Sequence, residues 1–133
     1  RMTKKDTPRV SKVVGIEQLR RARDLITQVY VDDKVKQYIV EIVMASRNPR
    51  EYGLQSIAQL IAVGGSPRAT IGLTKAAKAH AFTKGRGFVT PEDVKAIAYD
   101  VLRHRILLTY EAEAEETKQD SVIREILNNI EVP

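Results

Sequence analysis

Two proline-led signals bracket the middle of the chain and leave little choice of structure between them. Ser66-Pro67 and Thr90-Pro91-Glu92-Asp93 each set an N-cap residue before a proline at the first helical position, where a backbone N–H would have no intrahelical partner anyway. The second signal adds two acids in the first turn, which suit the positive end of a helix dipole. Between the two, Pro67 to Lys84 carries Ala69, Leu73, Ala76, Ala77 and His80 on one side, and Gly85 to Gly87 ends the run. Small residues on that side let another helix approach closely. Val94, Ile97, Ala98, Val101 and Leu102 form the next apolar stripe.

The same spacing rule predicts three further helices. Val35, Ile39, Ile42 and Val43 fall at i, i+4, i+7 and i+8, with Asp32 or Asp33 as the cap and a stop near Arg47, ahead of Pro49. Ile16, Leu19, Ala22, Ile26 and Val29 recur every three or four residues, with Arg20, Arg21, Arg23 and Asp24 mostly on the wet side. Val122, Ile123, Ile126, Leu127 and Ile130 mark a last helix before Pro133. Two short β-rich stretches, Val29-Tyr30-Val31 and Phe88-Val89, are expected to pair, and Ile106 to Tyr110 reads as extended. Leu54, Ile57, Leu60 and Ile61 read as a short helix or an apolar loop, and residues 111–116 as a solvated stretch or a helical turn. The fold class is therefore mainly α, a helical bundle of about five helices with minimal short β pairing. With 133 residues, 43% of them hydrophobic, the chain can close one core, and five Tyr, two Phe and no Trp make that core aliphatic. Residues 1–15 lack an apolar period and read as a linker or arm ahead of one domain over 16–133.

Composition removes several chemistries. With no Cys and two His, the chain cannot build a disulfide scaffold, a Cys-based zinc site or a thiol nucleophile. No run of about 18 apolar residues is present and no charged-then-apolar leader opens the chain, so we expect no membrane and a cytoplasmic location. Gly64 and Gly65 do not begin a phosphate loop, because Ala69 and Thr70 stand where its second glycine belongs, and Arg68 replaces the closing glycine of a nucleophile elbow. His80, at an apolar helix position, reads as packed or capped. His104, between Arg103 and Arg105, reads as a surface residue, and no metal site is expected.

The net charge of +5 is uneven. Residues 1–23 hold eight Lys or Arg against two acids, and residues 111–133 hold seven acids against two bases. The two ends could attract each other, within a chain or between subunits, although salt screens such attraction beyond about 8 to 10 Å; otherwise they form a solvated surface. The basic start with Arg86, Arg103 and Arg105 also suits a small helical nucleic-acid-binding module, against which stand the acidic last third and the lack of a recognition helix. A protein-interaction bundle without a nucleotide role is a further alternative.

Arg68 is the residue with the most specific chemistry. It sits at the second position of a helix whose start is set by Gly64, Gly65, Ser66 and Pro67. Free N–H groups and the helix dipole favour an anion there, and a guanidinium adds a full charge with fixed donors. The arrangement suits a phosphate, although a plain helix start with an exposed base fits the same residues.

Gly64-Gly65-Ser66-Pro67-Arg68-Ala69-Thr70, the Ala-rich run to His80, Gly87-Phe88-Val89-Thr90-Pro91-Glu92-Asp93-Val94 and Val101-Leu102-Arg103-His104-Arg105-Ile106 resemble, in order and spacing, the C-terminal helical lid of the MoxR family of AAA+ ATPases. The similarity covers about residues 16–133. Ala45-Ser46-Arg47 stands where the family has Ala-Thr-Arg or similar, and Gly65 where it often has Ala, a change expected to loosen the helix start slightly. The resemblance implies that Arg68 is the sensor-2 arginine, reaching from the lid to the phosphates of ATP, with Gly64, Gly65, Ser66 and Pro67 as its nucleotide-binding setting. It also implies ATP and Mg2+ held by an α/β core that precedes the lid, neighbouring subunits in a ring, and chaperone-like work on client proteins. Walker A, Walker B and sensor 1 are absent from these residues, and the chain begins at Arg1 rather than Met, so we expect a piece of a longer ATPase that has no activity and no cofactor by itself. Arg47, Arg103 and Arg105 receive no role from the resemblance.

Overall fold

The computed structural model describes residues 7–133. Arg1, Lys4 and Lys5 of the basic start, and the first part of the 1–15 arm, lie outside the described residues. Residues 7–15 carry neither helix nor strand. The elements that follow are α1 (Ile16–Thr27), α2 (Asp33–Arg47), a 3-10 turn (Pro49–Tyr52), α3 (Gln55–Ala58), β1 (Ile61–Val63), α4 (Pro67–Thr83), α5 (Pro91–Leu102), β2 (Leu107–Leu108), α6 (Tyr110–Ala114) and α7 (Gln119–Asn129). Five of these helices, α1, α2, α4, α5 and α7, have eleven residues or more. The class is mainly α, as the periodicity predicts.

The core lies among α2, α4, α5 and α7. Ile39, Ile42 and Val43 meet Leu73, Ala77 and Ala81 of α4, Val94, Ala98 and Leu102 of α5, and Val122, Ile123 and Ile126 of α7, all of them buried. Each set recurs at three or four residues, so each helix turns one stripe inward. Alanines on α4 bring its axis close to α5, and Gly72, early in α4, faces Val101, late in α5, which fixes the two as antiparallel neighbours.

The β pairing is small but positions much. Tyr30 and Phe88 form an isolated parallel bridge, with Tyr30 N–H donating to the Gly87 carbonyl at 2.9 Å and Val89 N–H to the Tyr30 carbonyl at 2.9 Å, the pairing expected from sequence. A second pairing was not expected: Ile61–Val63, read as the end of a helix or loop, is a strand that runs antiparallel to β2, with Ile61 opposite Leu108 and Val63 opposite Leu107. The helix in that segment is confined to Gln55–Ala58. Residues 110–114 form the helical turn, held by Ala112 in the interior.

Helix α1 departs from its expected packing. Its apolar stripe forms, but no residue of α1 is buried, and Ile16 and Leu19 stay exposed. Its main contact with the bundle is with α4, near the end where Lys78 Nζ donates to the Thr27 carbonyl at 3.3 Å, and Ile16 and Leu19 of its first turns are left uncovered by the described residues.

A buried carboxylate joins the end of α4 to the start of α5. Asp93 is fully buried, and its oxygens accept two 2.6 Å bonds from Arg86, one of 2.7 Å from the Thr90 N–H, one of 3.0 Å from the Thr90 hydroxyl, and one of 2.7 Å from His80 Nδ1. Gly85, at φ +75°, lets the chain leave α4 in the left-handed conformation that a side chain resists, and the turn carries Arg86 back toward Asp93. Burial alone would push the Asp93 carboxyl up; Arg86, the Thr90 N–H, His80 and the Thr90 hydroxyl outweigh it and hold the group well below the usual carboxylate range. Its stabilisation is therefore complete above the unfolded value near pH 4 and is lost as pH falls toward the folded one. Asp93→Asn, which keeps the volume and removes the charge, is expected to cost about 2 to 3 kcal/mol in urea denaturation at pH 7 and to flatten the acid limb of the stability curve; a variant as stable as the parent, with the same acid limb, would contradict this role.

Candidate functional site at the start of α4

The start of α4 is built by close backbone approach rather than by loosened glycines. A Cβ on Gly64 would run into the carbonyl of Ser46 and stand 2.7 Å from the Cα of Arg47. One on Gly65 would stand 3.2 Å from the Ala69 Cβ and 3.3 Å from Ser46 Oγ, so an alanine there requires its neighbours to give slightly. Neither glycine has a positive φ. They are small because the last turn of α2 lies against them, which corrects the expectation that Gly65 loosens the helix start.

Ser46 completes the junction. It is fully buried; its hydroxyl donates to the Val43 carbonyl at 2.6 Å and accepts the Gly65 N–H at 2.8 Å. Arg47 Nη1 donates to the Gly65 carbonyl at 3.3 Å. Both backbone groups of Gly65 are thus taken by the end of α2. Ser46 was missed from sequence, although its position was legible: with Ile39, Ile42 and Val43 it continues the i, i+3, i+4, i+7 stripe that faces the core.

Ser66 occupies the N-cap in extended backbone (φ −88°, ψ 174°), but its side chain makes no cap bond, contrary to its reading as a good cap. Its carbonyl accepts the Ala69 N–H at 2.8 Å, and among the described residues the Arg68 N–H has no acceptor. The Arg68 side chain is exposed and, among the described residues, makes no ion pair and no hydrogen bond. Along the sequence its charge setting is one-sided: from Tyr52 to Pro91 there is no Asp or Glu, while Arg68, Lys75, Lys78, Lys84 and Arg86 fall within that stretch. α5 opens on Glu92 and Asp93 and α2 on Asp33, whereas the first turn of α4 has no acid to meet its dipole. An anion from outside the chain could meet Arg68 at this end, where Ser66 and Pro67 lie beside it; Gly65 is buried with both backbone groups taken, and with Gly64 it shapes the approach to the helix.

The remaining candidates separate. Arg103 is a tie between helices: its guanidinium donates to Asp120 on α7 at 2.7 and 3.1 Å and to Asp100 at 3.2 Å, and this bonding holds the Asp120 carboxyl down. His80 belongs to the Asp93 cluster, and His104 is exposed. Among the described residues no group of three or more His, Asp or Glu is placed to hold a metal ion, no ion pair joins residues 7–23 to 111–133, and no helix is long and apolar enough to cross a membrane.

The profile of the family described as the AAA lid domain matches residues 55–126, from α3 into α7, with Arg68 inside the match. The chain belongs to this family. Its relatives make it a lid of the MoxR type: it is 34% identical over 126 residues to "Chaperone MoxR1" of Mycobacterium tuberculosis, covering 95% of this chain and 33% of that protein. It is 39% identical over 79 residues to "Protein MoxR" of Paracoccus denitrificans, covering 56% of this chain and 23% of the relative. A crystal structure of a protein from Cytophaga hutchinsonii assigned as an ATPase superposes with a TM-score of 0.85 at 43% identity, over 88% of this chain and 36% of that one. The lid thus spans about a third of the length of these longer proteins.

The junction of α2 with α4 gives the lid its first test. Gly64→Ala is expected to destabilise it by about 2 kcal/mol, because backbone rather than a flexible side chain must move. Gly87→Ala, where a Cβ meets open space, should change stability by less than about 0.5 kcal/mol. Equal effects of the two in chemical denaturation would show that the close approach is not a constraint.

Proposed function

We propose that this lid works as residues 16–133 of a MoxR-type AAA+ ATPase, with residues 1–15 leading in from an α/β core, and that Arg68 is its sensor-2 arginine. The observation that carries the reading is the exposed guanidinium of Arg68, without a partner among the described residues, beside an N–H that has no acceptor among them, on a helix start without acids. These groups fit a phosphate oxygen. They supply no ligand for Mg2+ and no base for water, so the metal, the Walker motifs and the rest of the nucleotide belong to the core.

Bound ATP supplies a terminal phosphoryl group whose transfer to water does the chemical work. The part of this chain is to place one full positive charge and one backbone donor against that phosphate, to stabilise charge that develops there, and to lose the contact when phosphate leaves. α4 is fixed to α2 at its start and to α5 at its end, so a contact made or lost at Arg68 is passed to the bundle as a whole. A lid in a ring of such subunits would carry that movement to neighbours, and client proteins would be remodelled or assembled by it.

Arg68→Ala in the complete ATPase is expected to lower kcat on the order of 10²-fold, the loss seen when one preorganised donor to a developing charge is removed. Arg68→Lys should recover part of it, and the 133-residue chain alone should hydrolyse no ATP. Turnover of Arg68→Ala at the parent rate would remove the sensor assignment.

A further inference from the structure

The phosphate reading of Arg68 leaves a second arginine unexplained. Arg105 is half-buried, its Nε is buried with no hydrogen-bond partner, and among the described residues its side chain has no carboxylate partner. Arg86 and Arg103, by contrast, are each bonded to aspartates. Buried donors are almost always satisfied in folded proteins, so an arginine fixed in place without a counter-charge calls for a reason.

Two independent features bring Arg105 to the start of α4. The first is the small sheet: Val63 lies opposite Leu107, so Gly65, two residues after Val63, and Arg105, two residues before Leu107, are carried to the same end of the bundle. The second is Gly72. It lies one helical turn after Arg68, on the same face of α4, and a Cβ built on it would stand 3.7 Å from an Arg105 Nη and 4.0 Å from Cζ. The Arg105 guanidinium therefore lies against α4 at Gly72, one helical turn from Arg68 in the chain. A Cβ there would crowd Val101, 3.3 Å away, and would lie in ordinary contact with the guanidinium.

We infer that Arg105 is a second phosphate-binding residue of the lid, placed by the β1–β2 pairing and by Gly72 to share with Arg68 the polyphosphate of a nucleotide. This rests on the reading of Arg68 given above. The chemistry is complementary: Arg68 is an exposed arm at the helix start, whereas Arg105 is half-buried with its guanidinium against α4, and two planar forks suit a multiply charged ligand with several oxygens. Among the described residues neither side chain is paired with a carboxylate. The start of α4 and the segment after α5 thus offer two guanidinium groups to one anion.

The test uses the complete ATPase and measures ATP binding at fixed salt for Arg68→Ala, Arg105→Met and Arg105→Lys, with the assembly state followed by size exclusion. Met keeps the packing over Gly72 and removes only the charge and donors. Arg105→Met is expected to weaken ATP binding about tenfold or more, with assembly and thermal midpoint unchanged, and Arg105→Lys to recover part of the loss. If Arg68→Ala is impaired while Arg105→Met binds ATP like the parent, the inference about Arg105 is wrong and the sensor reading stands. If Arg68→Ala is itself unaffected, the underlying reading has failed. Arg105→Lys no better than Arg105→Met would assign Arg105 to packing. Lost assembly with unchanged ATP binding would assign it to a carboxylate of a neighbouring subunit; either result overturns the proposal.

Discussion

At Gly64 the chain leading into α4 lies directly on the backbone of the last turn of α2, and the rest of the lid depends on that contact. Gly64 and Gly65 have to be small for the backbones to meet, and the buried Ser46 hydroxyl then takes the Gly65 N–H. At the far end, Asp93 binds His80 of α4, Arg86 of the turn and Thr90 at the start of α5. Between these ends, alanines and Gly72 let α4 lie close on α5. A helix pinned at both ends and packed along its length has little freedom to tilt alone, so the position of Arg68 reports the position of the bundle.

The arginines divide accordingly. Arg86 and Arg103 hold elements together through aspartates: the first at a fully buried carboxylate, where losing a partner is costly, the second at an exposed one, where solvent and salt reduce its worth. Arg68 and Arg105 have no such partner among the described residues and lie toward the same end of α4. α1 raises a comparable point for apolar surface: Ile16 and Leu19 form the outer part of a stripe that the described residues do not cover.

Much of the fold was legible because helical periodicity and capping are local. Val35 to Val43, the two proline-led starts and the stripe from Val122 to Ile130 each specify an element without reference to distant residues, and the Val29–Val31 with Phe88–Val89 pairing followed from β-rich composition alone. What was illegible depended on tertiary contact. Ile61–Val63 is too short to show a strand period, and becomes a strand only because Leu107 and Leu108 lie beside it. Gly64 and Gly65 look permissive in sequence, since nothing in the one-dimensional pattern reports that α2 ends against them. Asp93 was recognised as a first-turn acid, but its partners Arg86 and His80 come from a turn and a helix that meet it only in the folded chain. For the site, sequence singled out Arg68 and its surroundings; Ser46 and Arg105 emerged only when the chain was folded.

The central claim is that the start of α4 presents Arg68 to a nucleotide phosphate. The most direct measurement is a structure of the complete ATPase with a non-hydrolysable ATP analogue and Mg2+. The account predicts the Arg68 guanidinium within hydrogen-bond distance of a phosphate oxygen, with the α2–α4 junction at Ser46 and Gly65 intact. An Arg68 side chain paired with a carboxylate, or turned away from a fully bound nucleotide, would contradict it.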